Sequence, residues 1–132
     1  MNQPENGTDR SIGDLAPCWP DNALTEAVRR AHDAGARVAV HVFGEEALPD
    51  LIAAGVDSIE HGTGISADLL DELRARNIAV VPTLVNIANF DKFADQATKY
   101  PVYAQRMRRL KRSSAARIRD AHDAGIPIYV GT

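Results

Sequence analysis

The stretch AHDAGARVAVHVF, residues 31–43, joins the end of a predicted helix to a predicted strand. Gly35 supplies the left-handed residue that ends many helices. The strand RVAVHVF is apolar on both faces apart from His41, as expected of a strand with helices on one side and a core on the other. The pentapeptide AHDAG occurs again at 121–125, before IPIYV, so the same helix-to-strand joint is predicted twice.

An amphipathic helix, a Gly or Asn stop and a short apolar run recur four times along the chain. Such alternation predicts four parallel strands in an α/β fold, because parallel neighbours need a crossover and the helix supplies it. The pattern leaves two architectures open, a doubly wound sheet or half of an eight-stranded barrel. Residues 1–20 lack periodicity and predict an irregular N-terminal segment before a domain at 21–132. The units are DNALTEAVRRAHDAG with RVAVHVF, EEALPDLIAAG with VDSIEH, SADLLDELRARN with IAVVPTLV, and a long helix ending in SSAARIRDAHDAG with IPIYVG.

Composition argues for one ordinary soluble domain. The 132 residues are 45% hydrophobic, which is enough for a core, and the net charge of −3 gives no general attraction to nucleic acid or to an anionic membrane. No apolar run approaches the roughly 18 residues that span a bilayer, and the polar start predicts no signal peptide, so a cytoplasmic protein is expected. Seven basic residues lie between Arg106 and Arg119, and a solvated helix face explains them better than an RNA site.

The carboxyl ends of the predicted strands are the place to search for a site. His41 and His61 stand there, 20 positions and one strand–helix–strand step apart. Neighbouring strands lie about 5 Å apart, so both imidazoles could reach one ion at about 2.0–2.1 Å. Neutral imidazole suits zinc, iron, nickel or copper, and a catalytic zinc site usually needs a third protein ligand.

Structural explanations stand beside the metal hypothesis. Either histidine alone is more often a core residue that donates to a carbonyl group. Thr83, which follows Pro82, lines a pocket or simply finishes its strand. Glu60 should point away from His61 by strand alternation, so a structural role is favoured.

At these positions the sequence resembles a known family. VAVHVFGEEALPDLIAAGVDSIEHGTGIS (38–66), LRARNIAVVPTLV (73–85) and AGIPIYVGT (124–132) look like the second half of a metal-dependent amidohydrolase of the imidazolonepropionase or prolidase-like type. The resemblance implies strands five to eight of a (β/α)8 barrel. His41 and His61 match the family's metal-binding histidines at the ends of strands five and six.

The resemblance also implies parts that this sequence does not contain. The family has an aspartate directly after the strand-eight GT, a position that would follow Thr132, as well as a His-x-His pair and a carboxylated lysine from earlier strands. It implies a divalent metal, zinc or iron, and a small-molecule substrate whose C–N bond, in a cyclic amide or dipeptide, is attacked by metal-activated water. Residues 86–99 are expected to contact substrate or form a lid.

Two functional hypotheses follow. In the first, the chain is an amidohydrolase fragment that is inactive alone and needs a complementing N-terminal half. In the second, it is a non-catalytic α/β half-barrel module that forms a homo-oligomer through its open strand edges.

Overall fold

The computed structural model describes residues 15–131. Residues 15–20, the described part of the predicted irregular segment, contain no helix or strand. Residues 1–14 and Thr132 lie outside the described residues, so the predicted boundary at residue 20 stays a prediction. In chain order the elements are α1 (Asp21–Asp33), β1 (Ala39–Val42), α2 (Leu48–Ala54), β2 (Ser58–His61), a 3-10 turn (Ala67–Leu69), α3 (Leu70–Ala75), β3 (Ala79–Val81), α4 (Leu84–Ala88), α5 (Phe90–Gln96) and α6 (Pro101–Asp123).

The three strands form a parallel sheet in the order β1-β2-β3, and the predicted α/β alternation is confirmed. The fourth predicted strand joins the sheet through a single parallel bridge between Ile128 and Val80. Val80 donates to the Pro127 carbonyl at 2.9 Å and accepts from the Tyr129 amide at 3.0 Å. The parallel direction throughout places all four carboxyl ends on one face of the molecule.

The main apolar core lies between this sheet and the helices that cross over it. Ile59 and Val80 of the central strands are 0% and 1% exposed and pack against α1, α2 and α3. A second cluster is centred on Phe90, beyond the carboxyl end of β3, where α5 packs on α6. Pro49 lies in the first turn of α2, the position where a proline is tolerated.

Both AHDAG copies end their helices in the same way. Gly35 and Gly125 have φ of 76° and 79°, and each donates a backbone hydrogen bond to the carbonyl of the histidine three residues earlier. The side chains differ, because His32 Nε2 lies 2.9 Å from the carboxylate of Asp57, the residue directly before β2, whereas His122 Nδ1 lies 3.2 Å from the carboxylate of its neighbour Asp123. The prediction that both copies end a helix with the same backbone turn is therefore confirmed. The side-chain contacts of their histidines differ.

Polar side chains near the helices contact neighbouring carboxylates. Ser66 precedes the 3-10 turn but makes no side-chain capping bond, and its hydroxyl instead hydrogen-bonds Asp68 and lowers the pKa of that carboxyl. Part of the basic face of α6 forms ion pairs. Arg109 donates two hydrogen bonds of 2.7 Å to the Glu45 carboxylate, and Arg106 contacts Glu46 at 3.1 Å. Within residues 15–131, no helix is both long enough and apolar enough to cross a bilayer.

Candidate metal centre

The side chains of His41 and His61 meet at the carboxyl end of the sheet. His41 Nδ1 lies 2.9 Å from His61 Nε2, and the ring centroids are 5.0 Å apart. The sheet register pairs His41 with Glu60, and it pairs His61 with Val42. Regular strand alternation would therefore place the two rings on opposite faces of the sheet.

The backbone of His61 explains how the rings meet. His61 has φ of 71°, and the Gly62 amide donates to the Glu60 carbonyl at 3.0 Å, which closes a γ-turn around the histidine. Relative to the usual strand value of about −120°, this φ rotates Cβ by about 190° around the N–Cα bond. The rotation turns His61 back toward His41. γ-Turns with positive φ are rare and strained, and such strain concentrates at functional sites.

Aromatic and polar groups fix the His61 ring, which is 8% exposed. Phe43 lies against it with a centroid distance of 4.4 Å, and Phe90 supports Phe43 edge-on at 5.0 Å. Thr83 Oγ1 lies 2.5 Å from His61 Nδ1. Both ring nitrogens of His61 thus have a partner, Thr83 on one side and His41 on the other.

The electrostatic surroundings favour the neutral form of His61. Burial lowers the pKa of its imidazole, the nearby His41 lowers it further, and Glu60 opposes the shift. A neutral imidazole is the form that ligates a metal. Two nitrogens that each lie about 2.0–2.1 Å from one ion are separated by about 2.9–3.4 Å for angles between about 90° and the tetrahedral value. The observed separation of 2.9 Å fits this range.

The loops that follow β1 and β2 are joined to each other. Thr63, 2% exposed, donates its hydroxyl hydrogen bond to the Phe43 carbonyl at 2.8 Å. Gly64 approaches Gly44 so closely that an added Cβ would lie 2.6 Å from the Gly44 carbonyl oxygen. A side chain at position 64 would therefore force the two loops apart. The role of Thr63 had no signal in the sequence.

The histidine pair is not a complete ligand set. Among residues 15–131, no group of three or more His, Cys, Asp or Glu side chains is placed to hold a metal ion. Glu60 accepts a hydrogen bond from Ser58 at 3.3 Å, which agrees with the structural role favoured for it. Thr83 stays a prediction as a substrate contact, since its hydroxyl contacts His61 in the structure.

A cavity of about 360 Å³ opens beside His41. Its walls are mostly apolar and include Trp19, Phe43 and Leu51, with Asp50 among the lining residues. Residues 86–99, where a lid or substrate contact was expected, form α4, α5 and their connections, and Phe90 within them supports the aromatic wall of His61.

Known proteins identify the fold and the family. A sequence profile described as the Amidohydrolase family matches residues 11–132. The chain belongs to the amidohydrolase family. Members of this family generally bind a divalent metal ion. An uncharacterized protein of Mycobacterium tuberculosis (strain ATCC 25618 / H37Rv) is 51% identical over 124 residues, which are 94% of this chain and 34% of the relative. This amidohydrolase chain therefore spans about a third of the length of the curated relatives it matches.

Solved structures show which part of the amidohydrolase fold is present. A Xaa-Pro dipeptidase with methionine bound in its active site is similar at a TM-score of 0.74 and 27% identity over 88% of this chain and 29% of that one. The ochratoxinase of A. niger is similar at a TM-score of 0.76 and 24% identity over 89% of this chain and 26% of that one. These neighbours are barrel hydrolases, so the predicted partial (β/α)8 barrel is confirmed.

Proposed function

We propose that this chain supplies His41 and His61 as metal ligands to a hydrolase that cleaves C–N bonds of small cyclic amides or dipeptides. The observation that carries the proposal is the 2.9 Å separation of two ring nitrogens, one of which belongs to a histidine in a strained backbone conformation. Membership of the amidohydrolase family and the similarity to a Xaa-Pro dipeptidase support the reaction class.

The residues of this chain have separate tasks in that reaction. His41 Nδ1 and His61 Nε2 hold a divalent ion, zinc or iron, which are metals that imidazole suits. When bound, the ion activates water as a nucleophile and polarises the carbonyl of the scissile bond. Phe43 covers one face of His61 and keeps solvent away from it. The apolar cavity beside His41 receives the small-molecule substrate.

We expect residues 1–132 alone to be catalytically inactive. Two histidines fall short of the three protein ligands of a typical catalytic zinc site, and no Asp or Glu among residues 15–131 completes the pair. The proton-transferring carboxylate is assigned to the aspartate that the family resemblance places after Thr132. Turnover of a dipeptide by purified residues 1–132 that is abolished both by a chelator and by His61→Ala would overturn this expectation.

Metal binding is the direct test. Isothermal titration of the purified chain with zinc, followed by His41→Ala and His61→Ala, should show that each substitution raises the zinc Kd by about tenfold or more. His122→Ala is the matched control, because it removes an exposed histidine from the end of α6. Equal loss of affinity in all three variants, or in none, would sink the proposal.

A second candidate function rests on the open sheet edges. Tyr129 is 60% exposed and Val130 is fully exposed at one edge, and the outer edge of β1 has no partner strand among residues 15–131. Unpaired strand edges favour association with another chain. We therefore propose that the isolated chain self-associates through these edges. Light scattering should then show a mass that rises with protein concentration, whereas a constant monomer mass would exclude it.

A further inference from the structure

Thr83 occupies a position where its hydroxyl would ordinarily cap the N-terminus of a helix. It is the residue directly before α4, and a threonine at this position commonly accepts a hydrogen bond from a backbone amide of the first turn. The structure shows no such capping bond. The Thr83 Oγ1 atom lies instead 2.5 Å from His61 Nδ1, and Thr83 is only 4% exposed.

The backbone around Thr83 directs the hydroxyl toward His61. Thr83 has φ of −67° and ψ of 69°, and the Leu84 amide donates to the Pro82 carbonyl at 2.7 Å. These values define an inverse γ-turn centred on Thr83. His61 also lies at the centre of a γ-turn, so two tight turns at the ends of neighbouring strands bring the hydroxyl and the ring together.

Two proton arrangements are compatible with this chain of contacts. In one, His61 Nδ1–H donates to Thr83 Oγ1, and the lone pair of His61 Nε2 faces His41. In the other, the Thr83 hydroxyl donates to His61 Nδ1, and His61 Nε2 carries a proton that points at His41 Nδ1. Only the first arrangement leaves His61 Nε2 free to ligate a metal ion.

We propose that Thr83 is a positioning residue whose buried hydroxyl accepts the Nδ1 proton of His61 and thereby presents the Nε2 lone pair to the metal site. This proposal rests on the metal-ligand role proposed for His61. A partner on the second ring nitrogen fixes the orientation and the tautomer of a ligating histidine, and its loss typically weakens metal binding 10–100-fold. Thr83 therefore acts through His61 and need not touch the metal or the substrate.

The experiment measures the tautomer of His61 and the affinity for zinc separately. Ring-nitrogen NMR of the 15N-histidine-labelled chain, without metal, should show His61 as the Nδ1–H tautomer. Thr83→Val keeps the branched shape without the hydroxyl, so that tautomer should be lost and the zinc Kd should rise about 10–100-fold. Thr83→Ser restores the hydroxyl and should recover both the tautomer and the affinity. Circular dichroism confirms that each variant is folded.

Ser114→Ala is the matched control, because it also removes a buried hydroxyl, which donates to the Lys111 carbonyl within α6 at 2.8 Å, and leaves His61 Nδ1 untouched. The proposal is overturned if His61 in the natural chain carries its proton on Nε2. It is also overturned if Thr83→Val leaves either readout unchanged, or if Ser114→Ala weakens zinc binding equally. Failure of His61→Ala to weaken zinc binding would instead reject the metal-ligand role, while the NMR readout of Thr83 would still stand.

Discussion

His41 and His61 meet at 2.9 Å although the sheet register sets His41 opposite Glu60. The contact exists because His61 leaves the strand with φ of 71° and so reverses the direction of its side chain. A single backbone dihedral therefore decides whether this chain has one site with two histidines or two separate strand-end histidines. This relationship can be tested without metal and without substrate.

The strain at His61 predicts an unusual order of stability for two small substitutions. His61→Gly and His61→Ala both remove the imidazole, but only alanine has a Cβ that disfavours positive φ. We expect His61→Gly to be more stable than His61→Ala by about 1 kcal/mol, measured as the free energy of unfolding in urea. At an ordinary strand position the glycine variant would be the less stable one by about 0.5–1 kcal/mol, and that order would contradict the left-handed conformation.

The histidines could be found from the sequence, whereas the geometry that joins them could not. Strand ends follow from the alternating helix and strand pattern, and this pattern places His41 and His61 at the same carboxyl edge of the sheet. The φ of His61 and the γ-turn at Thr83 depend on tertiary contacts that no local preference specifies. Strand alternation alone predicts that the His61 ring lies on the face of the sheet opposite His41, so it gives no reason to expect their contact.

Side-chain partners distant in sequence were also beyond prediction. Glu45 and Glu46 precede α2, where the helix dipole alone would account for acidic residues, yet their partners Arg109 and Arg106 lie at least 60 positions away on α6. Periodicity predicts which face of a helix is polar, but it does not predict which loop the face meets. Ser66 shows the reverse case, where a good capping residue uses its hydroxyl for a neighbouring carboxylate.

The pairing of Arg109 with Glu45 is expected to tie α6 to the loop after His41. Arg109→Ala should lower the free energy of unfolding by about 0.5–1 kcal/mol, because this two-bond ion pair is half exposed. Glu45→Gln combined with Arg109→Ala in a double-mutant cycle should show that the two losses are not additive. Arg119→Ala, on the exposed surface of the same helix, is the control and should change stability little. Full additivity of the pair would contradict the contact.

Asp57 is expected to make stability depend on acid. The Val38 amide and the His32 ring hydrogen-bond its carboxylate and lower its pKa from the ordinary 3.8. Because the folded-state pKa lies below the unfolded value, ionised Asp57 stabilises the fold above that value, and the contribution is lost as pH falls through the folded-state pKa. Asp57→Asn should therefore cost about 1 kcal/mol near neutral pH, with the difference from the natural chain shrinking below about pH 4.

Urea unfolding at several pH values measures this difference. Asp71→Asn is the control, because the Asp71 side chain is 94% exposed and its carboxylate pairs with the exposed Arg74 at 3.3 Å. An Asp57→Asn difference that stays constant from about pH 7 to about pH 3 would show that the charge of Asp57 does not stabilise the fold.

The approach of Gly64 to Gly44 is expected to hold the two histidine-bearing strand ends together. Gly64→Ala would place a Cβ 2.6 Å from a backbone oxygen, so the loops must separate at a cost of about 1–3 kcal/mol. Gly35→Ala, at a position with open space but φ of 76°, should cost about 1 kcal/mol through backbone strain alone. Zinc titration then distinguishes displacement of the two histidines from a general loss of stability. Gly64→Ala should weaken zinc binding while Gly35→Ala leaves it unchanged, because only Gly64 lies between the loops that follow His41 and His61. Equal zinc affinity in the two variants would show that the loop contact does not position the histidines.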